Sequence, residues 1–342
     1  MEIRQTIIMI LLFVSIMIFA AINIAIGSVA IPLGVVCDII MGRGTESEAW
    51  YNIVINTRLP QTLTAMACGS GLAVAGLEMQ TVFRNPLAGP SVLGISSASS
   101  LGVACVVLLS GALGGSVMQS FGLIGNSAIT VSSIIGAMSV MLLIVWLAQR
   151  VKSKVTLLII GVLIGYIASA IIGVLKFFSS EEDIRAYVIW GLGSFSRVTG
   201  GQVYVFVGLV AIILPFAMLL AKPLNLLLLG ENYAYSLGLN IKRARMMIIA
   251  CAGILTAVVT AYCGPIMFIG LAVPHIARGL FTTSDHRVLL PATMMCGATI
   301  ALLCNIIARL PGFEGALPVN SVTALIGAPI ALWVILRRHN VN

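Results

Sequence analysis

Ten times along this sequence an apolar run reaches, or nearly reaches, the length needed to cross a bilayer. A spanning helix needs about 20 such residues. The runs fall at 6–30, 60–82, 92–112, 124–148, 156–178, 202–221, 246–263, 266–281, 289–308 and 320–336. In hydrocarbon the backbone must satisfy its own hydrogen bonds, so a chain built this way folds as a bundle of helices. The predicted fold is therefore an all-α polytopic membrane protein of about ten transmembrane helices, one membrane domain over residues 1–342. The connections, longest at about 31–59, 179–201 and 222–245, are too short to fold alone. The run after Met1-Glu2-Ile3-Arg4 stays apolar to about Ala30. A cleaved signal has an apolar region of about 7–15 residues, so this run is expected to remain as the first span.

The basic residues orient the bundle. With the N-terminus inside, the inner helix ends carry Arg4, Arg84, Arg150, Lys152, Lys154, Lys222, Lys242, Arg243, Arg245, Arg278, Arg287, Arg337 and Arg338, 13 of the 19 lysines and arginines. The outer ends carry Arg43, Arg58, Lys176, Arg185, Arg197 and Arg309, beside the acidic Asp38, Glu46, Glu48, Glu181, Glu182, Asp183 and Glu314. Lysine and arginine collect on the cytoplasmic side, which places both termini there. The net charge of +8 is read the same way, and no basic run interleaved with aromatics marks a nucleic-acid partner.

Catalytic chemistry finds little support. Seven cysteines form no C-x-x-C pair, and His275, His286 and His339 stand far apart, so neither a disulfide framework nor a metal site is expected. The phosphate-cradling G-x-x-x-x-G-K-[ST] pattern is absent. Gly94-Ile95-Ser96-Ser97-Ala98 lacks the closing glycine of a nucleophile elbow; it reads as a helix start with Ser91 as N-cap. No catalytic residue and no cofactor held by this chain are predicted.

Several residues invite a role, each with a plainer alternative. Arg84-Asn85-Pro86-Leu87-Ala88-Gly89-Pro90 breaks the helix between two apolar runs; it is either a tight structural turn or a gate on a path. Glu78, beside Met79 and Gln80, is an intramembrane carboxylate, hence a candidate for proton coupling or a hydrogen-bonded packing residue. Gly161, Gly165, Ser169 and Gly173 place small side chains at spacing four on the fifth span, for packing within the chain or at a homodimer seam. The long inner loop holds a short helix at Glu231–Leu237 closed by Gly238; it either rests on its own bundle or docks on a partner or the lipid surface. Arg58 and Arg309 lie at outer helix ends, as snorkelling anchors or as sites for a partner's acidic residues.

The runs Arg58-Leu59-Pro60, Gln80 to Gly94 (QTVFRNPLAGPSVLG), Leu229 to Gly238 (LGENYAYSLG), Gly264 to Arg278 (GPIMFIGLAVPHIAR), Asp285-His286-Arg287 with Leu289-Leu290-Pro291, and Leu317 to Pro329 (LPVNSVTALIGAP) occur in this order. Together they resemble the permease subunits of FecCD-type ABC importers, over almost the whole chain.

That resemblance implies a homodimer of ten-span subunits in a bacterial inner membrane. It implies two cytoplasmic ATPase subunits, which would hold the ATP and Mg, and a periplasmic substrate-binding protein. The cargo would be a metal chelate: a ferric siderophore, haem or cobalamin. Asn85 and Leu87 match the family's cytoplasmic gate; Glu78 and Gln80 are candidate residues of the pathway. Gly230, Glu231, Ser236, Leu237 and Gly238 match the helix that couples to the ATPase. Arg58 and Arg309 match arginines that receive the binding protein, although Gln61 stands where a second arginine is often found. The fifth span matches the pathway-lining helix at the seam. The competing expectation is an ion-coupled secondary carrier working through Glu78.

Overall fold

Apolar runs of this length satisfy their backbone in lipid by forming helices, and the computed structural model follows that rule. It describes residues 3–27, 29–43, 47–112, 122–151, 153–310 and 317–339, with side chains left undescribed at 110–112, 122–126 and 333–339. Lys152, Glu46 and Glu314, and the side chains of Arg337 and Arg338, lie outside what is described. Among the described residues all regular structure is helical.

The helices run α1 (Ile3–Ala25), α2 (Leu33–Ile40), α3 (Glu48–Ile53), α4 (Leu59–Phe83), α5 (Ile95–Ala112), α6 (Gly122–Arg150), α7 (Lys154–Phe177), α8 (Glu181–Gly191), α9 (Gly201–Leu219), α10 (Ala221–Leu229), α11 (Glu231–Ser236), α12 (Ile241–Cys263), α13 (Ile269–Phe281), α14 (His286–Ala308) and α15 (Val319–His339). Seven long helices among the described residues are apolar enough to span; Ile95–Leu109, Ile269–Phe281 and Val319–Leu332 are shorter apolar helices. Together they stand where the ten apolar runs fall.

Helix α4 is the hub. It is buried nearly all round, which in a membrane protein means contact with other helices on every face. Its neighbours approach closely because the contact residues are small. A methyl group added at Gly69 would overlap the carbonyl oxygen of Gly297 on α14, and one at Gly76 would overlap that of Gly270 on α13. Small residues let helices approach in this way. On its remaining sides α4 meets α9 and α12.

A second group packs beside the hub. Helices α5 and α6 cross where Gly102 meets Ser132 and Gly136 meets Ala98, and Ser99 and Ser133 share a buried hydroxyl hydrogen bond at 2.5 Å. Helix α7 leans on α5, and α6 on α12. Helix α1 is tied to α14 by Asn23, which donates to the Leu302 carbonyl at 3.1 Å and accepts from Asn305 at 2.7 Å. Its outer surface is a sheet of exposed Ile, Leu, Phe and Met side chains suited to lipid.

Several boundaries differ from the sequence reading. The second span does not open at Arg58-Leu59-Pro60: α3 runs through a π-helical turn at Val54–Arg58 directly into α4. Pro60 lacks an N–H and crowds the preceding turn, and the widened turn stands where that crowding falls. Ser91 is no N-cap, because Pro90–Leu93 is a 3-10 turn closed by left-handed Gly94, and α5 starts at Ile95. The connections 31–59 and 179–201 hold the helices α2, α3 and α8, which the apolar runs did not reveal. The inner loop contains α10 as well as the expected α11.

Candidate functional site

At one end of the bundle the expected inner residues converge. Helix α4 stops at Arg84, whose N–H and that of Asn85 turn back to the carbonyls of Thr81 and Gln80 at 3.3 and 3.2 Å. Such a Schellman close needs a left-handed residue, usually glycine; here Arg84 takes it, with φ 50°, a conformation costing an L-residue roughly 1–2 kcal/mol. Asn85 Oδ1 then accepts the Leu87 N–H at 2.9 Å, and its carbonyl accepts the Ala88 N–H at 3.0 Å. Asn85 therefore shapes the turn. Leu87 stands clear, 41% exposed.

Five hydrogen bonds pin this turn and the end of α4 that leads into it. His275 Nε2 on α13 donates to the Pro86 carbonyl at 2.8 Å. Arg278 donates to Gln80 Oε1 at 2.6 Å, while Gln80 Nε2 donates to the Leu271 carbonyl at 3.0 Å. On the far side, the Arg84 guanidinium donates to the carbonyls of Leu227 and Leu228 at 2.7 and 3.2 Å. Those carbonyls belong to the last turn of α10, where helices lack internal partners and welcome a cation.

Next comes α11, entered through Gly230 at φ 118° and closed, as the sequence predicts, by Gly238 at φ 84°. Ser236 folds its hydroxyl back on Asn232 at 3.0 Å. Tyr233, Tyr235 and Leu237 are exposed. Glu231 Oε1 holds two cations, Lys154 of α7 and Arg245 of α12, each at 2.8 Å. Partial burial alone would raise its carboxyl, but Lys154 and then Arg245 outweigh that and hold it below the usual range.

Helix α10 is moored separately. Asn225 donates to Asp285 Oδ1 at 2.5 Å and accepts the His286 N–H at 2.8 Å. His286 Nε2 meets Thr81 Oγ1 on α4 at 2.9 Å. The Arg287 backbone N–H, then Asn225, keep the Asp285 carboxyl below its ordinary value. A hollow of about 440 Å³ is lined by Arg84, Lys154, Leu229, Gly230, Glu231 and Asn232 among others. A larger groove of about 930 Å³ runs between the end of α6 and the α11–α12 corner, past Arg150, Lys242 and Arg245.

At the opposite end Arg58 and Arg309 also meet. Both guanidiniums crowd Gly27. Arg58 is fully buried, correcting the expectation of an outward-reaching side chain: it donates to the carbonyls of Ile24, at 3.0 Å, and Ala25, at 2.7 Å, and to that of Val29. It thus caps α1, which has no basic residue in its own last turn. Arg309 has a buried Nη1 with no hydrogen-bond partner, and burial, then the Arg58 charge, lower its pKa to about 10. Arg309 and Gln61 line a hollow of about 240 Å³ with Thr57, Ser194, Ser196 and Asn305. The Gln61 Oε1 is likewise buried without a partner.

The small-residue stripe of α7 divides. Gly161 packs on Val92 and Leu93 and Gly165 on Ser97, whereas Gly173 faces open space and Ser169 is exposed. Glu78 is fully buried, with the Cys251 thiol of α12 beside it. Glu78 and Gln80, expected as residues of a path, are both packed among helices in this structure. Among the described residues no group of three His, Cys, Asp or Glu side chains could hold a metal ion.

The profile of the FecCD transport family matches residues 11–337, nearly the whole chain. The chain belongs to the FecCD transport family. This FecCD chain is 39% identical over 280 residues to the vitamin B12 import system permease protein BtuC of Klebsiella pneumoniae subsp. pneumoniae, covering 82% of this chain and 81% of that one. It is 38% identical to BtuC of Escherichia coli O6:H1 over 82% of each. Its backbone superposes with a TM-score of 0.82, at 29% identity, on an inward-facing structure assigned to the metal-chelate type of ABC transporter, covering 96% of this chain and 99% of the other. The all-α polytopic fold expected from the sequence is the family's fold. What sequence reasoning missed in this FecCD protein is the set of tethers: Lys154, Arg245, Asn225, His275, Arg278 and, as a side chain, Arg84. Asp285, which moors Asn225, is the N-cap of α14, and a carboxylate directly before a helix is a local signal that could have marked it.

Proposed function

We propose that this chain is the membrane-spanning subunit of an ATP-driven importer that carries a metal chelate into a bacterial cytoplasm, with vitamin B12 the first candidate cargo. The observation that carries the reading is the inner end. A short helix with an exposed apolar rim, α11, is wired by Glu231 to α7 and α12, and it adjoins a helix break held by the same neighbourhood. That is the arrangement a chain without its own phosphate cradle needs if closure of an ATPase elsewhere is to move it. The likeness to vitamin B12 permeases supports the cargo class.

In this reading two copies pair, with α7 at the seam; Ser169 and Gly173, unpacked in one copy, suit close approach of a second. Two ATPase subunits, holding ATP and Mg, dock on Gly230, Glu231, Ser236, Leu237 and Gly238. Both termini face the cytoplasm, as the basic residues favour. On the periplasmic side a binding protein presents a carboxylate to Arg309, which lines a polar hollow and has a buried Nη1 with no partner. Arg58 supports that site from behind by fixing the end of α1 and adding positive charge. Chelate then passes between the copies and leaves past Asn85 and Leu87.

The test is reconstitution in vesicles with the cognate ATPase and binding protein. Cyanocobalamin, haemin and a ferric siderophore are offered separately. Uptake of one that requires ATP and the binding protein supports the reading. Uptake of any of them driven by an ion gradient without ATP overturns it.

A further inference from the structure

Arg84 is a costly choice for the residue that ends α4. Its backbone is left-handed, where glycine sits free of strain. Strain of this kind persists where the surroundings hold it and the side chain is needed. The side chain has one evident use: its guanidinium grips the last two carbonyls of α10 that precede Leu229 and Gly230. One residue thus belongs by its backbone to the helix break and by its side chain to the segment leading into α11.

We propose that Arg84 is the positioning residue through which movement of α10 and α11 reaches the Asn85–Leu87 turn. This rests on the importer reading above. The geometry supplies a fixed point and a moving one. His275 holds Pro86 to α13, and α13 is locked to α4 at Gly76 and Gly270. A displacement of α10 therefore pulls on Arg84 while Pro86 stays, and the deformation falls on Asn85 and Leu87. The ties of Asn225 to Asp285 and His286 set where α10 pivots, and the Glu231 ion pairs carry the same displacement to α7.

The experiment uses the permease assembled with its ATPase subunits in vesicles. The exposed Cys37 and Cys105 are replaced by serine, and Leu87→Cys serves as reporter. Its rate of labelling by a water-soluble maleimide is measured without nucleotide and after trapping with ATP and vanadate. With Arg84 the two rates should differ severalfold. With Arg84→Gly the backbone is relieved, so the complex should assemble and melt at least as well, hydrolysis should continue, and the difference should vanish. Arg84→Lys should restore part of it. Arg84→Gln is read in parallel in case the glycine variant does not assemble. A glycine or glutamine variant that keeps the full nucleotide response overturns the proposal. A reporter that ignores nucleotide even with Arg84 present overturns the gate reading itself, and the proposal with it.

Discussion

A carboxylate held between two cations loses most by being protonated. Glu231 is such a group, and its folded pKa lies below the ordinary value. Its contribution is therefore complete above the usual glutamate range, near 4.3, and fades as the pH falls through the lower folded value. Thermal melts of the purified chain should separate wild type from Glu231→Gln at neutral pH and bring them together in acid. In the reconstituted importer the same variant should hydrolyse ATP while carrying less cargo per turnover; unchanged cargo per ATP would remove Glu231 from the coupling path. At this scale the sequence was only partly legible. Gly238 announces the end of α11 because its backbone angle excludes most other residues. Lys154 and Arg245 could not be paired with Glu231 beforehand, since nothing local in a sequence records which distant cation a carboxylate will meet.

Among the elements, α4 carries the strictest demand. At Gly76 no side chain fits against the backbone of Gly270, and neither partner can yield without shifting a whole helix. Overpacking commonly costs about 1–3 kcal/mol. Gly76→Leu, which forces backbone apart, should exceed that range and yield a chain that is proteolysed or aggregates in detergent, while Gly173→Ala, in open space, should leave the single chain's melting unchanged. The α7 stripe shows why spacing alone misleads. Four residues turn a helix by about 400°, so each step drifts about 40° and a stripe of four wanders a third of the way round. Gly161 and Gly165 accordingly meet the chain and Gly173 does not. Helices α2, α3 and α8 were illegible for another reason: short and partly polar, they carry no long apolar signal and take shape by packing, as Tyr187 and Trp190 of α8 do against Val103, Ala104 and Val107.

For the molecule as a whole, the order and approximate number of the apolar helices among the described residues were readable because the bilayer sets a minimum length that few other contexts impose. The path of the cargo was not, because it depends on which faces a single chain leaves uncovered. Glu78 bears on that path. It lies on α4, buried beside Cys251 of α12, with no second carboxylate on α4, so Glu78→Gln should leave uptake ATP-dependent and insensitive to a proton uncoupler. Loss of uptake with intact assembly would revive an ion-coupled mechanism. The position of α4 also sets an order of events during synthesis. Helix α1, strongly apolar and facing outward, can lodge in lipid as soon as it is made. Helix α4 is the least apolar of the long spans and the most enclosed, with Gln61, Ser70, Glu78 and Gln80 along its length, and insertion machinery reads a segment by its own apolarity. The neighbours that enclose it on three sides, α12, α13 and α14, leave the ribosome late, long after α4 itself. For most of its own biosynthesis, then, the hub of the subunit is a guest in the membrane, waiting for the helices that will make it the centre.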